Sequence, residues 1–237
     1  MRLFAISDLH LSLSSDKPMD VFPGWESYQT RLFDNWQSTV EKDDTVVIAG
    51  DVSWGISLEE SLADFKFLNG LNGKKIIIKG NHDFWWSTAA KINGFFEKNR
   101  LDTLSILLNN AFFDGHYAIC GTRGWVYDGS GEGDAKVINR ECGRLARSLD
   151  SAKNVGAKPI VFLHYPPAYG DFVCEEIVEV LKEYNIDRVY YGHIHGGAAY
   201  KTVPEYSNIA LKVISADRVG FTPVLVGNCG IFEKIIK

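Results

Sequence analysis

The feature that most constrains this chain is a set of five short apolar runs, each breaking off into carboxylate, amide or imidazole side chains. The runs cover residues 3–6, 45–49, 75–78, 160–163 and 188–191. Short, continuously apolar runs of this kind read as strands buried on both faces. Helical patterns separate the first three. Trp25, Tyr28, Leu32, Trp36 and Val40 recur at spacings of three and four, one face of a helix, with Pro18 and Pro23 in the loop before it. Ser57-Leu58-Glu59-Glu60 is a capping-box pattern. It opens a helix with the stripe Leu58, Leu62, Phe65 and Leu68, stopped by Asn69-Gly70. A third helix is predicted over 87–99, with Ala89, Ile92 and Phe96 inward. Strand–helix–strand–helix–strand implies a parallel sheet with right-handed crossovers.

The middle of the chain changes character. Residues 103–108, 111–114 and 117–121, broken by Asn109-Asn110 and Asp114-Gly115, predict an antiparallel meander. Residues 124–134 are rich in Gly and polar side chains and read as a mobile loop. A helix with Ile138, Cys142, Leu145 and Leu149 inward follows, and another is predicted over 173–184 with Asp171 as its N-cap. Strands are expected again at 208–215, 224–226 and 231–236. No internal repeat or linker divides the chain, so one domain over 1–237 is the expectation.

Composition narrows the function classes. The 237 residues are 46% hydrophobic and 23% charged, which excludes a disordered or fibrous chain. Twenty-five Lys and Arg against 30 Asp and Glu leave a net charge of −5. That argues against a general polyanion-binding surface, though not against a local basic pocket. No apolar run approaches a membrane span. The N-terminal run leads straight into Ser7-Asp8-Leu9-His10 with no small-residue cleavage site, so it reads as a strand rather than a signal peptide. Cys120, Cys142, Cys174 and Cys229 form no C-x-x-C and read as free thiols in a reducing compartment. The expected location is cytoplasmic.

Five of the six histidines follow directly on the apolar runs. The run ends are Asp8-Leu9-His10, Gly50-Asp51, Gly80-Asn81-His82-Asp83, His164 and Gly192-His193-Ile194-His195. In an open α/β sheet ligands bind outside the carboxyl ends of the strands, so these scattered pieces converge. Mixed N and O ligands suit Mn, Fe, Zn or Co rather than calcium. In Asp8-x-His10 both side chains point the same way if the strand continues. His193 and His195 do the same, or divide between neighbouring ions if the backbone turns. The glycines before Asp51, Asn81 and His193 allow tight turns and close backbone approach. Seven candidate ligands exceed the needs of one ion, and two ions roughly 3.5–4 Å apart sharing a carboxylate account for them better.

These motifs, D-x-H, G-D, G-N-H-D, a lone H and G-H-x-H, resemble in order and residue type the calcineurin-like metallophosphoesterase superfamily, and within it the short bacterial phosphohydrolases. The resemblance spans residues 8–195. It implies a four-layer α/β/β/α sandwich of two mixed β-sheets flanked by helices. It assigns Asp8, His10, Asp51 and His195 to one divalent transition-metal ion, and Asp51, Asn81, His164 and His193 to a second, with Asp51 bridging. His82 would sit beside the leaving group, with Asp83 orienting its ring. A metal-bridging hydroxide would attack phosphorus in line, the two ions and His82 stabilising the charge that develops.

Other signals are weaker. Alone, His164 would more often be a core or surface residue, but after a strand and with four companion motifs the ligand reading wins. His82 as acid is a weaker reading because helices and turns also use His structurally, and His116 follows a turn and reads as solvent-facing. Arg140, Arg144 and Arg147 make a basic helical stripe, either a solvated face or the wall of an anionic pocket. Arg123 is a candidate phosphate contact or a structural pair. Trp54 and Trp125 are candidate substrate contacts, whereas Phe84 and Trp86 read as packing. The third motif ends in Asp83 and no Val-Asp-Arg follows Gly50-Asp51, so the segment departs from the protein Ser/Thr phosphatase pattern. A small or medium phosphate ester or diester is the expected substrate, with no membrane partner. The competing readings are a nuclease, disfavoured by the acidic balance, and a non-catalytic metal-binding module on the same fold.

Overall fold

A computed structural model describes residues 1–113, 117–125 and 132–226, apart from the side chains of 132–134 and 155. The first half of the chain runs β1 (Leu3–Ile6), α1 (Tyr28–Thr39), β2 (Thr45–Ile48), α2 (Leu62–Gly70), β3 (Lys74–Ile77), α3 (Ala89–Lys98) and β4 (Leu104–Ile106). The second continues with β5 (Phe112–Phe113), β6 (Tyr117–Thr122), α4 (Glu132–Val155), β7 (Lys158–Leu163), β8 (Ala168–Tyr169), β9 (Phe172–Val173) and α5 (Glu175–Glu183). It closes with β10 (Arg188–Tyr191), a 3-10 turn (Gly196–Lys201), β11 (Glu205–Tyr206), β12 (Ile209–Val213) and β13 (Val224–Leu225).

The strands build two mixed sheets. One has the order β13-β1-β2-β3-β4, with β1 to β4 parallel and β13 antiparallel at its edge. The other has the order β11-β12-β10-β7-β6-β5, parallel except for β11 and β5. The alternation of strand side chains then sorts the core into three layers. Phe4, Ile6, Val46, Ile48 and Ile77 pack beneath α1, α2 and α3 with Leu32, Trp36, Phe65 and Phe96. Leu3, Ala5, Val47 and Ile76 face the other way, against Ile160, Phe162 and Tyr190 of the second sheet. Val161, Leu163, Val189 and Tyr191 pack beneath α4 and α5, against Leu145, Leu149, Ile177 and Leu181. This is the α/β/β/α sandwich that the resemblance implies. Each fully buried Leu, Ile or Phe in these layers is worth about 1.5–3 kcal/mol over its exposed state.

Three expectations change. The central meander does not form. β4 buries Leu104 and Ile106 and extends the first sheet parallel to β3, while β5 and β6 pair antiparallel in the second. Asp171 lies between β8 and β9, which pair as a hairpin, and α5 begins only at Glu175. Ser57 Oγ accepts from Glu60 N–H at 3.1 Å, as a capping box requires, but Glu60 caps Ile56 N–H and the residues form a turn before α2 starts at Leu62. The turn at 114–116 with His116, most of the 124–134 loop, the 231–236 strand and Cys229 lie outside the described residues.

The two sheets meet at their carboxyl ends. Ser7 N–H donates to Ile214 carbonyl and Ala216 N–H to Ser7 carbonyl, both at 2.9 Å, which stitches the exit of β1 to that of β12. Within the second sheet Gly192 N–H donates to His164 carbonyl at 3.0 Å, and His164 Nδ1 reaches across to the Ala49 carbonyl after β2 at 3.0 Å. All five candidate motifs therefore emerge along one seam.

Lys75 shows what the inner strands tolerate. Its side chain is fully buried, and its ammonium donates to the carbonyls of Leu71 (2.7 Å) and Gly73 (2.8 Å). Burial pulls it down to about 8, from an ordinary 10.5. Between those values the unfolded chain holds more protons, so the stability contributed by this group rises with pH. Chemical denaturation from pH 8 to 10 should show this rise, and Lys75→Met should remove it. Parallel curves for the two proteins would contradict this account.

Candidate metal centre

The strand exits do not continue as strand. Asp8 (φ 58°), His10 (φ 44°), Asp51 (φ 53°) and His193 (φ 69°) all have left-handed backbone. Strand alternation therefore does not align Asp8 with His10; the curled backbone aims each side chain separately. Such a conformation costs an L-residue about 1–2 kcal/mol, and Asp and His are among the residues found there most often. A backbone ladder holds it. Asp8 N–H donates to Gly50 carbonyl (2.9 Å), His10 N–H to Asp51 carbonyl (3.0 Å) and Leu11 N–H to Val52 carbonyl (3.0 Å). Glycine is needed at two crossings. A Cβ at Gly80 would strike the Asp51 carboxylate and amide, and one at Gly192 the side chains of Ser7 and Asp8.

Asp83 ties the exits of β2 and β3 together. Its buried carboxylate accepts from Asp51 N–H (3.0 Å), Val52 N–H (2.8 Å), Gly80 N–H (2.7 Å) and Trp85 Nε1–H (3.0 Å). None of these bonds reaches the His82 ring, whose Nδ1 is buried without a partner. Asp83 thus braces the loops and does not orient His82.

The seven candidate ligands come together. Asp8 accepts from Ser7 Oγ and from His193 N–H (2.9 and 3.1 Å to its two oxygens). Among the described residues, two tight donor groups share it: Asp8, His10 and His195, and Asp8, Asp51 and His164. Asp51 Oδ2 lies between the two halves, 3.8 Å from His10 Nε2 and 3.6 Å from His164 Nε2. Asn81 Oδ1 stands 2.5 Å from His164 Nε2 and 3.0 Å from His193 Nδ1.

Protonation and hydrogen bonding show what the cluster fits. His164 Nδ1 faces the Ala49 carbonyl at 3.0 Å, so it carries the proton. Its Nε2 is then a bare lone pair aimed at the oxygens of Asn81 and Asp51. His195 is held the same way. Asp217 Oδ1 sits 3.0 Å from its Nδ1, leaving Nε2 3.3 Å from both Asp8 Oδ1 and His10 Nε2. Where His164 Nε2 meets Asn81 Oδ1, acceptor faces acceptor in a buried pocket and a cation is needed between them, and imidazoles with the outer nitrogen so anchored are suited to ligating metals.

The titration of the groups agrees. Burial pushes Asp51 up to about 9, with Asp8 and Asp83 adding to the shift. Burial holds His10 down at about 3 and His164 and His193 at about 4, all neutral and ligand-ready. Burial also opposes the charge on His195, but bonding to Asp217 and Asp8 outweighs it and lifts the group to about 10. For Asp8, burial is likewise outweighed, by the hydrogen bond to His195 and the neighbouring imidazoles, and the carboxyl is lowered. The donor set thus fits divalent cations, which would replace the proton on His195 and relieve the repulsion at Asp51.

Around the cluster the aromatic residues divide. Trp54 stacks on His10 at 4.8 Å and lies 4.6 Å from the His82 ring, with Lys17 Nζ 4.5 Å from the centre of the Trp54 ring. Tyr165 packs against His193 at 4.4 Å and links it to Trp125 at 5.6 Å, over which Arg123 lies at 4.9 Å. Trp86 packs against the core, but Phe84 is 56% exposed beside His82 and is not packing. The sequence reading missed Asp217 and Tyr165. Asp217 follows the 208–215 run, and the strand-end rule applied there would have found it. Tyr165 directly follows His164 but carries no ligand chemistry to mark it.

A model of the calcineurin-like phosphoesterase family matches residues 1–197. Among solved structures, a protein of unknown function from Aquifex aeolicus aligns over 99% of this chain and 98% of its own, at 14% identity and a TM-score of 0.53. The phosphopantetheinyl hydrolase of Mycobacterium tuberculosis aligns over 95% of each chain at 15% identity and a TM-score of 0.51. A Thermus thermophilus protein covers 90% of this chain and 88% of its own at 13% identity, with a TM-score of 0.52. At these identities the likeness is one of fold. A comparison with proteins of curated function gives no match.

Asp217 supplies the test of the anchored-imidazole geometry. Asp217→Ala should lower divalent-metal affinity about 10–100-fold, read by titrating metal into chelator-stripped protein. Unchanged affinity would show that the Asp217–His195 bond has no part in ligation.

Proposed function

The chain belongs to the calcineurin-like phosphoesterase family, and from that premise we propose that the buried cluster is a two-ion centre hydrolysing a small phosphate ester or diester. The observation that carries this reading is His164 Nε2, a bare nitrogen facing Asn81 Oδ1 at 2.5 Å. Asp8, His10, Asp51 and His195 would hold one ion, and Asp51, Asn81, His164 and His193 the other. Mn, Fe, Zn and Co all suit this mixture of oxygen and imidazole. When bound, such ions acidify water and draw charge from the phosphoryl oxygens.

The side chains of this chain do the rest. His82 is half-buried with its ring 5.6 Å from that of His10, and its backbone N–H donates to Asp51 Oδ1 at 2.7 Å. Burial lowers its pKa, and an incoming phosphate ester brings negative charge that raises it again. His82 then holds a proton for the departing alkoxide. A groove of about 460 Å³ opens from His10 and His195 and is lined by Met19, Phe22 and Trp25. It offers the leaving group an apolar wall. Trp54 closes the other side of His10. Among the described residues no helix is long and apolar enough to cross a membrane.

Two variants separate binding from chemistry. Asp51→Asn should cut metal-dependent hydrolysis of an aryl phosphodiester by about two orders of magnitude or more, with the circular dichroism spectrum unchanged. Full activity in that variant, or in metal-stripped protein, would sink the mechanism. His82→Ala should keep its metal content yet lose about 10²–10⁴-fold in kcat on esters with poor leaving groups. The deficit should shrink as the leaving group improves. Loss of metal instead would move His82 into the ligand set.

A further inference from the structure

A second cavity lies beside the metal cluster, on the side away from the apolar groove. It is about 540 Å³ and opens where the end of β4 in the first sheet faces the end of β6 in the second. Its charged lining is one-sided. Lys79, Arg123 and Arg144 all border it, together with the polar groups of Ser87, Thr88 and Asn109. The carboxylate that answers them is Glu141, which is fully buried and already bound. It accepts from Thr122 Oγ1 at 2.6 Å and Arg144 Nη1 at 2.7 Å, with Arg140 Nε 3.8 Å away. Among the described residues Arg123 has no carboxylate within salt-bridge distance. Its Nε is buried and unbonded, and its guanidinium lies over Trp125 at 4.9 Å. A buried guanidinium N–H without an acceptor is costly, and a fork of N–H groups facing a cavity matches an oxyanion.

The cavity is tied to the metal cluster through the backbone. The Arg123 carbonyl accepts from His164 N–H (3.1 Å) and Tyr165 N–H (2.9 Å), and Lys79 directly precedes Gly80-Asn81. The two sites therefore share a wall. We propose that this cavity is an anion subsite of the phosphate or carboxylate class, and that the substrate carries a second anionic group besides its scissile phosphate. The second half of the proposal rests on the metal-centre reading, because the scissile phosphate must lie at the cluster. The first half does not.

The test uses the full chain and inorganic phosphate. Metal-stripped protein should bind one phosphate, and Arg123→Gln with Lys79→Gln should weaken that binding at least about tenfold, the equivalent of about 1.4 kcal/mol. Arg144→Lys should retain most of it and Arg144→Gln should not. In metal-loaded protein, alkanediol bisphosphates should show KM values below those of the matching alkyl monophosphates. The ratio should fall towards one in Arg144→Gln. Absence of phosphate binding by metal-stripped protein, or binding indifferent to all these substitutions, overturns the subsite. Equal KM values across the ester series in wild-type protein overturn the assignment to substrate. Failure of the metal centre itself would show as loss of all hydrolysis with phosphate binding by the stripped protein intact.

Discussion

The carboxylate of Asp83 is the contact on which the rest of the site depends. Four N–H donors from three separate segments end on its two oxygens. An ionised carboxylate offers about four lone-pair positions, so Asp83 is filled by this task. The donors belong to the first residues after β2, the turn after β3 and the indole of Trp85. Without that acceptor each amide would be buried and unpaired, at about 1–3 kcal/mol apiece. Asp51 and Asn81 would lose their fixed separation with it. A residue first read as a partner of His82 is better described as the keystone under the whole carboxyl edge.

Much of this was legible in the chain itself. β1 and β10 fall on their apolar runs residue for residue, and the face of α1 is buried from Trp25 to Val40. The candidate ligands were legible because each lies within a few residues of the end of a buried strand, and topology then brings them together. What escaped reading depends on contacts distant in sequence. β4 joins the first sheet because α3 returns the chain beside β3, and local pattern does not distinguish that from a meander. Val173 looks like the start of a helix until Ala168 pairs with it in a hairpin. The left-handed residues Asp8, His10, Asp51 and His193 are not themselves glycines, and no glycine stands beside Asp8 or His10 to mark the turn there.

Charge is distributed unevenly over the molecule. The chain is acidic overall, yet the seam between the sheets gathers cationic groups at one cavity and anionic ones at the cluster beside it. The apolar groove at Met19, Phe22 and Trp25 lies on the opposite flank of His10. One exit of the sandwich thus presents three chemically different surfaces. Recognition by such a surface depends on the order of groups along a ligand more than on the strength of any single contact.

The ladder joining Asp8 to Gly50 and His10 to Asp51 has a further consequence for the choice of ion. Backbone bonds between the strand exits set the spacing of these side chains. The reorganisation that a flexible chelate undergoes on binding is completed here during folding. Donors spaced by backbone bonds would sort cations by radius and preferred coordination number, a basis for selectivity that a mixture of nitrogen and oxygen donors alone does not provide.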